Sequence, residues 1–361
     1  MDSLTQFTLG ASVSAALLGR HIGYRKAAII GGLMGTVPDL DTFVPHDDPV
    51  EKFVAHRGAS HSLVIQALVT PVFAEPLVRL FQALKGQRIR TYIAVYLIFA
   101  THALIDAMTI YGTKLLWPLT DAPFGVGSIF IIDPLYTLPL LAVTIWALFV
   151  GGFLPKLHRA VIGALVASTL YMGASVALQF HAAHQAGKWL ANQGITPERT
   201  LTIATPFNTL YWRTIVMDGD RYLNLYTSTI GGAPTLYSHA RRSELEGCLA
   251  ENGKFRALRK FTKGFYGIDT QDGKVIFSDL RMGLTPDYVF RFHIADIVDG
   301  TPQNIDPAIR QPVQRGTDGD IPWLRAGILG AQTKRIAEAT SLIEDTQRLA
   351  VDVRSDTSPC G

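Results

Sequence analysis

Cysteine and charge are both scarce in this chain. Only two cysteines, Cys248 and Cys360, occur among 361 residues, and they form no CxxC pair. They exclude a cysteine zinc cage, and a single disulfide between them is compatible with the sequence but not implied by it. Charged residues make up 17% of the chain, whereas soluble proteins carry about a quarter. This shortage argues against an ordinary cytosolic enzyme.

A strong excess of one charge sign is also missing, because the formal net charge is only +3 and the two signs are well mixed. Nucleic acid is therefore not expected as a partner. The hydrophobic content of 48% excludes a disordered chain. Residues 1–180 hold 22 Lys, Arg, Asp and Glu residues, whereas residues 181–361 hold 41. We infer a membrane-embedded first half and a water-soluble second half.

The first half contains several apolar runs. Residues 91–110, 131–150 and 160–180 are each long enough to cross a bilayer, and residues 62–84 form a fourth candidate despite Glu75 and Arg79. Two shorter runs, 4–19 and 27–44, precede them and form either a spanning hairpin or helices that dip into the membrane. Asp2 stands where a signal peptide carries basic residues, so no cleaved leader is expected.

Basic residues mark three loops of this half. If six segments cross the membrane, the three loops share one face, which the positive-inside rule makes cytoplasmic. The opposite, periplasmic face then receives residues 45–61, residues 111–130 and the C-terminal half. The basic residues of the three loops are Arg20, Arg25 and Lys26, then Lys85, Arg88 and Arg90, then Lys156 and Arg159.

The second half has the pattern of a mixed domain. Short strands are predicted at residues 201–204, 211–217, 222–228, 274–279 and 288–294. A polar stretch covers residues 299–322, and a helix is predicted around residues 325–350. The predicted fold is an α-helical integral membrane domain of five or six segments over residues 1–180. A mixed α/β, mostly β, soluble domain follows over residues 181–361.

His102 and Asp106 lie inside the apolar run 91–110. An ionisable side chain in a membrane segment is costly unless it is paired or hydrated, so it indicates a function. Four residues apart on a helix, both side chains lie on one face, and histidine with carboxylate suits a divalent transition metal. The alternative is that Asp106 only forms a hydrogen bond that satisfies His102.

Two further clusters border the neighbouring segments. Asp39 and Asp41 close the second apolar stretch in the motif PDLD, and the motif HRGASHS contributes His56, Arg57 and His61. On the predicted topology both clusters share a face with His102 and Asp106. Oxygen and imidazole ligands from three segments would form a hydrolytic metal site. Separately, each cluster is also compatible with a helix cap or a polar loop at the lipid headgroups.

Other polar residues are less specific. Asp133 is either a supporting carboxylate or the cap of a helix, and Tyr111 follows the segment of His102 closely enough to line the same site. His181 and His184 are read as interfacial histidines at the end of a membrane helix. The segment that contains His46, Asp47 and Asp48 is interpreted as a solvated loop.

The ordered motifs MDSLTQ, GGLMGTVPDLD, HRGASHS, THALIDAMTIYGT and IFIIDPLYT resemble the YdjM-like family of bacterial inner-membrane-associated, metal-dependent hydrolases. The resemblance covers about residues 1–180. It implies a multi-pass protein of the bacterial inner membrane with a metal site. Members often have threonine before the second histidine of the HRGASHS motif, where this chain has Ser60. The polar motif positions of the family correspond to Asp39, Asp41, His56, His61, His102 and Asp106.

The residues and the resemblance together predict metal-dependent hydrolysis of a membrane-accessible small molecule or lipid, such as a phosphoester or phospholipid. Zinc is the first choice of metal and manganese the second. A free carboxylate of Asp39 or Asp41 would accept the proton of water. The planar fork of Arg57 would neutralise a phosphoryl oxygen.

Two other classes of function stay open at this stage. The buried His/Asp cluster would also serve a non-enzymatic transport or ion-binding protein, although such a protein needs a polar path to the cytoplasmic face. Alternatively, the membrane half only anchors the C-terminal half as a binding module. The lipid bilayer is a partner in every case, and the sequence leaves the oligomeric state and the role of the C-terminal domain open.

Overall fold

The computed structural model describes residues 1–313 and 316–342 and divides the chain into two units. The first unit comprises residues 1–44, 56–177 and 206–208. The second comprises residues 45–55, 178–205 and the chain from residue 209 onward. A helical N-terminal region followed by a mostly β C-terminal region is confirmed. Cys360 and residues 343–350 of the predicted C-terminal helix lie outside the described residues.

The first unit is built from helices. They are α1 (Ser3–Ile22), α2 (Tyr24–Thr36), α4 (Leu63–Leu80), α5 (Arg88–Met108), α6 (Pro134–Phe149) and the first part of α7 (Pro155–Asn192). Helix α3 (Pro49–Ala55) falls in the second unit. Short 3-10 helices cover Val37–Phe43, Ala59–His61 and Gln82–Gln87.

Three helical stretches are long and apolar enough to cross a membrane: Leu63–Leu80, Gln82–Met108 and Pro155–Asn192. The shorter helix α6 is apolar as well. The count of five or six crossings stays a prediction. The prediction from the apolar run at residues 160–180 was too short, because α7 begins at Pro155 and extends to Asn192. The helix continues because its polar end is rich in alanine and other good helix formers, which the search for apolar residues ignores.

Helices α1 and α2 pack unusually closely. Asp2 caps α1 by accepting hydrogen bonds from the backbone N–H groups of Leu4 and Thr5. Further along, a Cβ atom on Gly10 would lie only 2.3 Å from the carbonyl oxygen of Gly31, so the contact requires glycine at this position. The close approach places the end of α2 beside the start of α1, which matters for the site described below.

The basic turns of the first unit meet at one end of its helices. The Arg20 guanidinium lies over the ring of Phe153 at 4.8 Å, and Arg25 donates to the carbonyl oxygen of Leu148 at 2.7 Å. Arg90 of the second basic loop contacts His21 of the first. Helix α1 runs from Asp2 to this end over 20 residues, or about 30 Å. The start of α1 therefore lies at the opposite end of the unit.

The second unit contains two four-stranded antiparallel sheets. The first has the order β1 (Arg199–Ala204), β2 (Tyr211–Asp218), β3 (Arg221–Ser228), β4 (Thr235–Ala240). The second has the order β10 (Thr301–Arg310), β9 (Arg291–Val298), β6 (Lys274–Asp279), β5 (Tyr266–Gln271). Strands β7 (Gly283–Leu284) and β8 (Asp287–Tyr288) pair separately. This unit also contains helices α8 (Gly253–Phe261) and α9 (Asp320–Ile328), and residues 336–342 are helical.

Several boundaries in this unit correct the sequence predictions. The polar stretch 299–322 contains strand β10, which escapes detection because its two prolines are tolerated at the edge of a sheet. The strand predicted at residues 288–294 is divided between β8 and β9. Strands β4 and β5 were not predicted. The helix predicted around residues 325–350 is interrupted: α9 begins at Asp320, since Pro322 fits a first helical turn, and ends at Ile328 before Gly330 with φ +76°. Residues 336–342 are helical again, as predicted.

Helix α3 packs within the second unit although it comes from the N-terminal half of the sequence. The Asp48 carboxylate accepts hydrogen bonds from the backbone N–H of Ala308 at 2.8 Å and pairs with Lys254 Nζ at 2.9 Å. The Phe53 ring is buried against three aromatic rings, with centroid separations of 4.4–5.4 Å. The partner rings are Phe261, Phe290 and Phe292. The interpretation of Asp48 as part of a solvated loop was therefore wrong.

Candidate metal centre

Four side chains from three motifs converge at the end of the first unit where α1 begins. His102 and Asp106 lie in the last two turns of α5, and Asp39 lies on the 3-10 helix Val37–Phe43. His61 ends the 3-10 helix Ala59–His61. One ligand atom from each of the four lies within 4.8 Å of the other three. Three of the side chains are buried, whereas that of Asp39 is 25% exposed.

The separations fit a single small cation. The two Nε2 atoms of His61 and His102 lie 3.1 Å apart. Asp106 Oδ2 lies 3.3 and 3.7 Å from these two atoms, and Asp39 Oδ1 lies 3.4 and 3.5 Å from them. A tetrahedral ion with ligand distances of about 2.0–2.1 Å separates its ligand atoms by roughly 3.3–3.4 Å. These five separations are therefore close to those between the ligand atoms of a single zinc ion.

Hydrogen bonds on the outer sides of both imidazoles determine which nitrogen carries a proton. His102 Nδ1 lies 2.6 Å from the carbonyl oxygen of Gly35, which can only accept, so Nδ1 carries the proton. The Ser60 hydroxyl donates to Asp41 Oδ2 at 2.7 Å and thus accepts from His61 Nδ1 at 2.9 Å. When both imidazoles are neutral, both Nε2 atoms therefore turn lone pairs toward the centre.

Asp106 Oδ2 is also available as a metal ligand. This buried carboxylate oxygen receives no hydrogen bond from the part of the chain that the structure describes. Arg57 Nε lies 3.0 Å away but is misaligned for a hydrogen bond, so its contribution is that of an ion pair. The other oxygen, Oδ1, accepts from Gln6 Nε2 at 3.0 Å and from the α-amino group of Met1. With both imidazoles neutral, four lone-pair-bearing atoms thus converge within 4.8 Å, and two nitrogen and two oxygen atoms are a donor set that suits a divalent metal.

Asp41 and His56 lie beside the four-residue cluster rather than within it. His56 Nδ1 donates to Asp41 Oδ1 at 2.7 Å, and the backbone N–H of Arg57 donates to Asp41 Oδ2 at 3.0 Å. Burial raises the pKa of Asp41, but the hydrogen bonds from His56 and Ser60 outweigh burial and hold this pKa below its ordinary value. An ionised Asp41 therefore organises the loop that carries His61.

Arg57 connects the cluster to the neighbouring loop. Its backbone has φ +61°, an uncommon conformation for a residue other than glycine. The buried guanidinium donates to Thr109 Oγ1 at 3.1 Å and lies 4.9 Å from the centroid of the Tyr111 ring. Arg57 is thus fixed beside the metal ligand Asp106, and Tyr111 lines the site as its position in the sequence suggested.

The sequence analysis did not identify three groups that form hydrogen bonds to the cluster: the Gln6 amide, the Ser60 hydroxyl, which accepts from His61, and the carbonyl oxygen of Gly35. Gln6 is a buried amide within an apolar segment, and this isolated polarity was the available signal. No sequence signal marks a backbone carbonyl.

The remaining polar residues lie apart from the cluster. Asp133 caps α6 and accepts from Tyr171 at 2.9 Å, and His181 contacts Gln185. His46, Asp47, Asp48 and His184 are not among the four clustered residues.

The Ser60 hydroxyl gives a direct test of the outer hydrogen bonds. Ser60→Ala removes the link between Asp41 and His61 Nδ1, so we expect zinc affinity to fall about 10-fold or more. Ser60→Thr keeps a hydroxyl at the same position and should retain the affinity of the wild type. Competition with a zinc chelator measures both values. Equal affinity of Ser60→Ala and wild type would contradict this role.

Comparison with known proteins assigns the first half of the chain to a family. The family model described as YdjM inner membrane protein matches residues 1–185, which is just over half of the chain and includes every residue of the cluster. No curated protein and no solved structure matches the chain. The match confirms the resemblance found in the sequence motifs. The chain belongs to the YdjM inner membrane protein family.

Proposed function

We propose that this protein is a metal-dependent hydrolase of the bacterial inner membrane that cleaves a phosphoester at the membrane surface. The observation that carries the proposal is the convergence of two imidazole nitrogens and two carboxylate oxygens within 4.8 Å of one another. Two nitrogen and two oxygen ligands suit zinc first and manganese second. The proposed ligands are Asp39, His61, His102 and Asp106.

A divalent ion bound there would supply Lewis acidity and, on accepting a fifth ligand, would lower the pKa of a bound water molecule. Asp39 is the most exposed of the four ligands, so its carboxylate can accept the proton that water loses. Arg57 places a positive charge beside the ligands and thereby favours an anionic phosphoryl group at the site. Asp41 and His56 hold the loop of His61 in place.

Metal content provides the first test of the proposal. We expect detergent-purified wild type to hold stoichiometric zinc or manganese, and His102→Ala and Asp106→Asn to lose it while remaining folded. Two control variants, His21→Ala and Asp121→Asn, alter the same residue types outside the cluster and should keep the metal. Elemental analysis and circular dichroism measure the two properties.

Turnover separates the hydrolase from a protein that only binds the ion. With bis(4-nitrophenyl) phosphate as the probe, metal-loaded wild type should release 4-nitrophenol, and both cluster variants should lose the activity. Wild type that neither contains metal nor takes up zinc or manganese contradicts the proposed centre. Wild type that holds metal but cleaves no phosphoester favours ion binding or transport.

We further propose that the metal centre and the C-terminal domain are periplasmic. The basic turns gather at the end of the first unit opposite the start of α1, and the positive-inside rule makes that end cytoplasmic. Residues 45–55 pack within the second unit, so the membrane cannot lie between them and that unit. If each of the helices α4 to α7 crosses the membrane, the number of crossings between residues 45–55 and the rest of the second unit is even, which agrees with this assignment.

Thiol labelling tests this topology. In a chain whose Cys248 and Cys360 are replaced by serine, Asp47→Cys should react with a membrane-impermeant maleimide in intact spheroplasts. The matched variant Gly86→Cys, in the loop between α4 and α5, should react only after lysis. Both positions are exposed, so accessibility alone does not separate them. The reverse labelling pattern would contradict the assignment.

A further inference from the structure

The 3-10 helix that carries Asp39 also carries an exposed apolar stripe. A 3-10 helix has three residues per turn, so residues three apart share a face. Val37, Leu40 and Phe43 therefore form one face of the helix Val37–Phe43. Val37 packs against the core of the first unit, whereas Leu40 is 55% exposed and Phe43 is 81% exposed. One short element thus holds a metal ligand on one face and apolar surface on another.

A second exposed apolar pair borders the loop that carries His61. Leu116 and Leu119 are both exposed. Their segment is hydrogen-bonded to the HRGASHS loop on either side of His61: Lys114 N–H donates to the Arg57 carbonyl, and Leu63 N–H donates to the Leu115 carbonyl. We call Leu40, Phe43, Leu116 and Leu119 the apolar rim.

The depth of the centre matches that of a lipid phosphate. His102 and Asp106 lie in the last two turns of the apolar stretch Gln82–Met108, which is long enough to cross the hydrocarbon core. The cluster therefore lies where the hydrocarbon core meets the headgroups. It opens toward Asp39, its most exposed member, which adjoins Leu40 of the apolar rim.

We propose that the substrate is a glycerophospholipid of the surrounding bilayer, with its acyl chains against the apolar rim and its phosphodiester at the Asp39 side of the centre. This inference rests on the proposed hydrolase function. It commits to a bilayer lipid because the rim is apolar and exposed, and because the centre lies at the end of an apolar stretch long enough to cross the hydrocarbon core, where the phosphates of bilayer lipids lie.

The reaction balances with water as the only co-reactant. The oxygen of water forms a bond to phosphorus, and one P–O ester bond breaks. Asp39 accepts one proton from the attacking water molecule. The departing alkoxide oxygen takes up one proton and becomes the alcohol, so no net proton is gained or lost. One diester and one water molecule give one phosphate monoester and one alcohol.

A comparison of two substrates tests the role of the rim. In mixed micelles, Phe43→Ser should raise the KM for dioleoyl phosphatidylglycerol about tenfold and leave kcat nearly unchanged, because the variant loses apolar contact with acyl chains. The same variant should cleave the soluble diester bis(4-nitrophenyl) phosphate like the wild type. Val72→Ser, at an equally apolar and exposed position on α4, should change neither value and is the matched control.

Several results would overturn the inference. An equal loss on both substrates assigns Phe43 a structural role, and a wild type that cleaves the soluble diester but no phospholipid excludes the lipid. If the metal-loaded wild type cleaves neither substrate, the proposed hydrolase fails, and binding then decides the role of the rim. Metal-stripped wild type should bind a diacyl phosphonate analogue about tenfold more tightly than Phe43→Ser. Equal affinity of the wild type and Phe43→Ser for this analogue would contradict the proposed binding of acyl chains to the apolar rim.

Discussion

The first unit depends on one electrostatic constraint: two carboxylate oxygens and two imidazole nitrogens face one another in a site that is largely closed to water. Such an arrangement is costly unless cations compensate it. The Arg57 guanidinium and the Met1 α-amino group pair with Asp106, and a bound metal ion would also compensate His61, His102 and Asp39. The protein fixes each member from outside the cluster, with the Gly35 carbonyl behind His102, the Ser60 hydroxyl behind His61 and the Gln6 amide behind Asp106. The close packing of α1 and α2 brings the Gly35 carbonyl and the Gln6 amide to their positions.

The two ends of the first unit carry opposite chemistry. Arginines and lysines of three turns gather at one end, and the carboxylates and histidines lie at the other. On the proposed topology, the end that carries the carboxylates and histidines faces the periplasm, and a hydrolase at that surface needs no polar path through the unit. Residues 45–55 connect Asp41 to His56 in the sequence. They pack within the second unit through the contacts of Asp48 and Phe53. The proposed topology and the chemistry of the centre therefore depend on the same stretch of chain.

The sequence predicted the motifs of the site more fully than their arrangement. The spacing of His102 and Asp106 is enough to place both on one helical face, and their burial in an apolar run indicates a function. Spacing could not separate the role of Asp39 from that of Asp41, because a 3-10 helix turns the two side chains in different directions. The Gly35 carbonyl has no sequence signal. In the second unit, β10 was missed because its prolines are typical of loops, and only its place at a sheet edge makes them acceptable.

X-ray absorption at the zinc edge tests the central claim most directly, because it measures the ligands rather than the consequences of binding. For zinc-loaded wild type, the account predicts nitrogen and oxygen ligands at about 2.0–2.1 Å, with the outer-shell scattering of two imidazoles. His102→Ala, if it retains any zinc, should show the scattering of one imidazole. A zinc ion with sulfur ligands, or one with no imidazole scattering, would contradict the assignment of Asp39, His61, His102 and Asp106 as its ligands.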